Sequence, residues 1–424
     1  MRSAPVPDRS NDEALLKMVT KALLLENLHA DADEALATFA PVDVTRLSGS
    51  PDRTELLEAV ARAQLLGIRS RTRVDEELLA AASELLAVGC FCIGTNQVDL
   101  EACAERGIPV FNAPFANTRS VAELTIASIV MLMRGIPEKM QKIRAGEWLK
   151  SADGSHEVRK KRLGIIGYGN IGSQLSVIAS AMGMHVYFYD LEPKLAHGNA
   201  REVTGLDELL AKSDVVTLHV PSTDKTRWMI DEAAIGSMKP GAFLINHARG
   251  DLVDIDALAA ALREGHLAGA AVDVFPVEPK QKDQPFESPL LEFDNVILTP
   301  HIGGSTVEAQ AAIGRDAASK LARFVFEGST SHAVNFPQVE PGALAAGRSR
   351  LTCAHRNEPG FLSKLNEAVS ATGGNIAAQS LQTQGDLGYV VADVEVGPAR
   401  GDQILAAVRG LSGTLRARML SHAP

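Results

Sequence analysis

Cysteine is scarce, with four residues in 424: Cys90, Cys92, Cys103 and Cys353. They make neither a disulfide framework nor a metal-ligand spacing, because Cys90 and Cys92 fall on one face of a strand with no further ligand nearby. Buried structural thiols in a reducing compartment are expected, and no metal. Positive charge is in deficit: 42 Lys+Arg against 52 Asp+Glu leave a net charge of −10. That balance argues against nucleic acid or an anionic membrane surface as the main partner, so an anionic substrate must meet locally placed cations. Long apolar runs are missing too. The most apolar helical stretch, 124–133, is far short of the roughly 20 residues that span a bilayer. The opening MRSAPVPDRSND lacks the apolar run of a secretory leader. A soluble, cytoplasmic protein is the expectation. What is present is ordinary globular composition, 46% hydrophobic and 22% charged, enough for about two to four domains.

Residues 1–16 are polar, carry Pro5 and Pro7, and are expected to form a disordered tail. From 21 to 111, short apolar runs (23–25, 64–68, 86–92, 110–111) alternate with helical patterns, as in an α/β domain. One long apolar helix is expected over 118–145. Six further runs, at 163–166, 186–189, 215–219, 243–246, 270–274 and 296–299, predict a parallel sheet covered on both faces. A helix is expected from about 306 to 326. The stretch QVEPGALAAG (338–347) has linker composition, with 346–347 as a candidate hinge. Beyond it the order strand, helix, strand, strand, helix, strand (βαββαβ) is ferredoxin-like.

Gly167, Gly169 and Gly172 form a GxGxxG pattern directly after an apolar strand and at the start of a helix patterned by Ile171, Leu175, Ile178 and Met182. A second strand then ends at Asp190, 18 residues after Gly172. This context makes the pattern a dinucleotide fingerprint: the glycines allow a tight turn, close backbone approach to a pyrophosphate and close helix–strand packing. The helix N-terminus offers unpaired N–H groups to phosphate. Asp190 can accept from ribose hydroxyls and would repel a 2′-phosphate, so NAD is favoured over NADP.

In an open α/β sheet, ligands bind outside the carboxyl ends of the strands. Three later strands deliver His247-Ala248-Arg249-Gly250, Asp273 with Glu278, and Pro300-His301-Ile302-Gly303-Gly304 to that edge. An Arg, a carboxylate and a His beside a dinucleotide site suit oxidation of a secondary alcohol. His301 takes the hydroxyl proton near neutral pH, Glu278 orients the ring, and Arg249 holds a substrate carboxylate. Asp273 is expected to contact the cofactor.

Together GYGNIG, INHARG, DVFPVEP and TPHIGGST resemble the D-isomer-specific 2-hydroxyacid dehydrogenases. The resemblance implies catalytic roles for Arg249, Glu278 and His301. It implies NAD contacts from Gly167, Gly169, Asn170, Ile171, Gly172, Asp190, His247, Ala248, Arg249, Asp273, His301, Gly303 and Gly304. His247 departs from the family, where a small residue is usual. IRSRT (68–72), VGCFCIGTNQVDL (88–100) and FNAPFANTRSVAEL (111–124) narrow the likeness to the branch that oxidises 3-phospho-D-glycerate on the phosphorylated route to L-serine. In that branch Arg69, Ser70, Arg71, Gly94 and Lys150 would bind substrate; a guanidinium fork suits phosphate. Some members also reduce 2-oxoglutarate.

The implied architecture is a flavodoxin-like substrate domain (17–116 and 307–338) interrupted by a Rossmann-type NAD domain (117–306). A linker (339–348) and a regulatory ACT domain (349–424) follow. By resemblance His355, Asn357 and Asn375 would bind L-serine across a two-fold interface, in a homotetramer. Arg356 and Glu358 carry charges reversed from the usual pattern. Two other readings stay open: another D-2-hydroxyacid dehydrogenase, although one with a neutral substrate would have no use for Arg69 and Arg71, and an NAD-sensing, co-repressor-like binding protein.

Overall fold

The computed structural model describes residues 20–49, 51–279 and 284–421; the expected tail at 1–16 lies outside them. The chain divides into two compact units, Met1–Ala116 with Gln310–Pro424, and Asn117–Ala309.

The first unit contains five parallel strands: β1 (Thr20–Leu24), β2 (Val42–Arg46), β3 (Leu65–Ile68), β4 (Ala87–Cys90) and β5 (Val110–Asn112), in the order β2-β1-β3-β4-β5. This is the flavodoxin-like order. Every residue of β3, β4 and β5 is buried, as both-face coverage of a parallel sheet requires. Three helices here start on an aspartate: Asp52, Asp75 and Asp99 accept the N–H of Glu55, Leu78 and Ala102. Each satisfies a donor the first helical turn leaves open. Edge strand β2 was not apparent in the sequence. Its residues, VDVTR, are half-buried or exposed, so no apolar run marks it.

The second unit is a seven-stranded parallel sheet: β6 (Arg162–Ile166), β7 (His185–Tyr189), β8 (Arg201–Glu202), β9 (Val215–Leu218), β10 (Ala242–Asn246), β11 (Leu267–Val272) and β12 (Val296–Leu298). The order β12-β11-β10-β9-β6-β7-β8 is the doubly wound nucleotide-binding order with one strand added, and it reverses between β6 and β9. The single helix expected over 118–145 is instead two, Thr118–Met133 and Ile136–Arg144, bent by 68°. Gly135 breaks it at φ +58, and Pro137 then lacks the N–H that continuation needs. The first of the pair buries Ala122, Ile129, Leu132 and Met133 against the sheet. No single helix among the described residues is long and apolar enough to cross a membrane.

The C-terminal strands, β13 (Ser349–Arg356), β14 (Ile376–Gln384), β15 (Leu387–Val394) and β16 (Thr414–Ser421), form an antiparallel sheet ordered β14-β15-β13-β16. Two helices, Phe361–Ala371 and Pro398–Arg409, cover one face and share a core with Leu351, Cys353 and Val390. From the other face Ala354, Tyr389 and Val391 join the core of the first unit beside Phe324 and Phe336. The sheet and the flavodoxin-like layer are thus one packed body. The predicted linker is tied down at its start: Val339 is buried and exchanges hydrogen bonds with Thr330. Buried Arg350 pairs with Asp393 through two bonds of 2.6 and 2.9 Å and also donates to the carbonyls of Glu327 and Gly342.

Candidate active site

Gly167 turns the chain after β6 at φ +91, where a Cβ would come 2.7 Å from the His219 carbonyl oxygen. At Gly172 a Cβ would sit 2.2 Å from the Gly167 carbonyl oxygen, so the Asn170–Ala181 helix packs this closely only with glycine there. Gly169 differs: a Cβ would meet nothing within 4 Å. Its missing side chain leaves room in front of a helix whose N-terminus, starting at Asn170 and Ile171, has no side-chain cap. That open cradle fits a pyrophosphate. Asp190, after β7, is oriented by the N–H of Tyr168 (2.8 Å) and of Glu192 (3.1 Å). The Tyr168 ring stacks on Phe188 at 3.8 Å, and its hydroxyl accepts from His197 N and bonds Ser176 Oγ.

Three strand ends on the far side of the switch point carry the reactive groups. After β10, buried Asn246 shapes the turn: its Oδ1 accepts from Ala248 N and its Nδ2 donates to the Arg249 carbonyl. Arg249 has no salt-bridge partner among the described residues. After β12, His301 holds the left-handed conformation, φ +55. Its Nδ1 lies 2.9 and 3.0 Å from the two carboxylate oxygens of Glu278, which itself accepts from Phe275 N. An imidazole donating from Nδ1 to a carboxylate keeps Nε2 as its proton-exchanging atom. The hydrogen bond that His301 donates to Glu278 holds it above the usual histidine value despite partial burial and Arg249. Burial pushes Glu278 up, but the hydrogen bond and charge of His301 outweigh it and leave the carboxyl below its usual value.

Asp273 serves this loop directly. Its buried carboxylate accepts from Thr299 Oγ1 (2.6 Å), Ile302 N (2.8 Å) and Gly303 N (2.7 Å), while its carbonyl accepts from His301 N. Whatever its contact with the cofactor expected from the sequence, in the structure the Asp273 carboxylate holds the segments on both sides of His301. A Cβ at Gly304 would lie 2.2 Å from Asn117 Nδ2, so a side chain there would have to displace the Asn117 amide. The unusual His247 is buried and shares a 3.1 Å hydrogen bond with Thr125. Burial pushes it down to about 4, against the pull of Asp273. Its neighbour His219, which sequence reasoning passed over, is pushed by burial and by His247 down to about 3. The signal available was its place at the carboxyl end of β9, beside the switch point. Both rings are neutral at physiological pH.

In the first unit, Arg69, Ser70 and Arg71 follow β3 and line a cleft of about 230 Å³ with Glu26, Asn27 and Gly49. Neither guanidinium has a carboxylate within salt-bridge distance among the described residues. Gly94 accepts from Cys92 Sγ and Gln97 Nε2. Lys150 lies exposed in the second unit, beside the strongly exposed Trp148. Burial pushes the Cys103 and Cys353 thiols up to about 12 and raises Cys90 further.

In the C-terminal sheet, His355 is buried against Phe361, rings 4.0 Å apart, and Nδ1 bonds the Arg356 carbonyl. Its Nε2 is buried with no hydrogen-bond partner among the described residues. Asn357 is exposed and donates to the Gly385 carbonyl; Asn375 donates to Glu395. His355 and Asn357 precede the Phe361–Ala371 helix, whereas Asn375 follows it. Eleven helical residues span about 16 Å at ~1.5 Å each, so one small ligand does not bridge all three within one chain.

A family model described as D-isomer specific 2-hydroxyacid dehydrogenase, NAD binding domain, matches residues 126–303. Another, described as AHAS small subunit-like ACT domain, matches 351–416. The chain is 52% identical over 411 residues to the D-3-phosphoglycerate dehydrogenase of Haemophilus influenzae, covering 97% of this chain and 100% of that one. It is 52% identical over 407 residues to the enzyme of the same name from Escherichia coli K12, covering 96% and 99%. The solved D-lactate dehydrogenase from Aquifex aeolicus, complexed with NAD and lactic acid, superposes with a TM-score of 0.63 at 30% identity. That match covers 72% of this chain and 96% of the other.

Proposed function

The chain belongs to the D-isomer specific 2-hydroxyacid dehydrogenase family and is an NAD-dependent oxidoreductase with a C-terminal ACT domain; from that premise we propose that it oxidises 3-phospho-D-glycerate to 3-phosphohydroxypyruvate, the first step of phosphorylated L-serine synthesis. The observation that carries the substrate assignment is the cleft at Arg69–Arg71, where neither guanidinium has an ion-pair partner among the described residues and the lining carboxylate of Glu26 is taken up by backbone N–H groups. A pocket built this way leaves its cations unpaired when an unphosphorylated acid binds, and discrimination on the order of 10⁴ follows.

Bound NAD supplies the hydride acceptor. The substrate carboxylate lies on the Arg249 fork, which also polarises the C2 oxygen. As the C2 hydride leaves, the hydroxyl proton passes to His301 Nε2, and Glu278 stabilises the imidazolium that forms. The phosphate is held by Arg69, Arg71 and Ser70, with Lys150 contributed from a loop. L-Serine acts as feedback inhibitor at His355, Asn357 and Asn375. The separation of Asn375 from the other two supports a site completed by a second copy, as in the homotetramer we propose. The same acid/base pair would serve reduction of 2-oxoglutarate as a side activity.

The test is NADH oxidation with 3-phosphohydroxypyruvate, 2-oxoglutarate or pyruvate as acceptor, with and without millimolar L-serine. Turnover favouring the phosphorylated acceptor and suppressed by serine is expected. Turnover without suppression discards the effector site, and preference for an unphosphorylated acid overturns the substrate assignment.

A further inference from the structure

The 69–72 loop is gripped from two sides by buried side chains. Glu26 lies in the turn just after β1 and is almost fully enclosed, yet its carboxylate reaches across to accept from two consecutive backbone N–H groups. These are Arg71 N at 3.1 Å and Thr72 N at 2.9 Å. Its own N–H donates to the carbonyl of Gly49, another residue lining the cleft. On the other side, buried Gln97 donates from Nε2 to the Arg69 carbonyl at 2.5 Å and to the Gly94 carbonyl at 3.3 Å. The loop that carries both arginines is therefore fixed at each end by one side chain acting on backbone atoms.

The backbone around Glu26 is strained in a way that needs a reason. Glu26 and Asn27 are consecutive and both left-handed, at φ +58 and +53. Asparagine tolerates that region; glutamate does so rarely, and such a conformation persists only where its surroundings determine it. The compensating feature is the paired hydrogen bond to Arg71 and Thr72. Adjacent backbone N–H groups directed at one point are themselves an anion site. Glu26 fills that site from within, leaving an incoming anion to the Arg69 and Arg71 side chains. Its negative charge also offsets the mutual repulsion of the two guanidiniums in the same cleft.

We propose that Glu26 and Gln97 are positioning residues that hold the 69–72 loop with both guanidiniums lining the cleft, and that they set the preference for a phosphorylated 2-oxo acid over its unphosphorylated analogue. This rests on the substrate reading above and extends it to residues that do not touch the substrate. The experiment compares kcat/KM for 3-phosphohydroxypyruvate and for hydroxypyruvate in the wild type, Glu26→Ala, Glu26→Gln and Gln97→Ala, with NADH affinity measured by nicotinamide fluorescence. Glu26→Ala is expected to lose about ten-fold more on the phosphorylated acceptor than on hydroxypyruvate, chiefly through KM. Glu26→Gln keeps one acceptor oxygen and falls between wild type and Glu26→Ala; Gln97→Ala shifts the ratio in the same direction. NADH affinity close to wild type separates this effect from misfolding. An equal loss on both acceptors, or none, overturns the proposal. A wild type that shows no preference for the phosphorylated acceptor overturns the substrate reading itself, before any variant is compared.

Discussion

His301 and Glu278 are shifted in opposite directions by one shared hydrogen bond, and the sign of that coupling is testable. Alcohol oxidation needs His301 neutral, so kcat/KM in that direction falls as pH drops through its raised pKa. Glu278→Gln removes the charge that raises it, and the acidic limb should move to lower pH in a pH–rate profile; a limb that stays in place would contradict the pairing. His247 and His219 are neutral above about 4 and about 3, so neither should add a limb near neutrality. The glycine pattern separates binding from packing. Gly169→Val should raise the NADH dissociation constant with little change in the unfolding midpoint, because its Cβ meets open space. Gly172→Ala should instead cost stability, on the order of 1–3 kcal/mol by overpacking, since its Cβ meets a backbone oxygen at 2.2 Å. The catalytic candidates were legible because each strand end presents its reactive residue within a short run of sequence. Glu26 was not: its partners lie 45 and 46 residues away and are backbone atoms, which no side-chain motif records.

Elements buried on both faces announced themselves as apolar runs, and β3, β4 and β10 lie within about two residues of where such runs predict them. Two elements at the sheet edges did not. Edge strand β2 and two-residue β8 are polar or alternating, and pairing in the sheet rather than composition defines them. The break at Gly135 was masked because apolar periodicity continues across it; the left-handed glycine ends the helix where the pattern alone would not. The predicted linker shows another limit, since its small residues look free while buried Arg350 anchors the Gly342 carbonyl. Arg350→Met would strand the Asp393 carboxylate in a buried site. A loss of about 3–5 kcal/mol is expected, read as a lower urea midpoint; an unchanged midpoint would show that the pair contributes nothing.

Across the whole molecule, the succession of strands and helices along the chain was readable from alternating apolar runs and helical patterns, while the strand order within each sheet comes from the structure. The ferredoxin-like order also survives in the C-terminal sheet. What composition could not reveal is that this sheet shares one core with the flavodoxin-like layer, through Tyr389, Phe324 and Phe336, which stand far apart in sequence. The placement of Asn357 and Asn375 at opposite ends of one helix bears on regulation. Asn357→Ala should weaken serine inhibition while leaving uninhibited turnover intact, and unchanged inhibition would move the effector site elsewhere. We assign exchange of the substrate proton to His301, held by Glu278 and Asp273. The most direct test is single-turnover NADH oxidation with 3-phosphohydroxypyruvate in wild type and His301→Ala, with NADH binding measured on the same samples. Unchanged binding and a rate lower by a factor of ~10²–10⁴ are expected; a variant that turns over like wild type would remove His301 from the proton transfer.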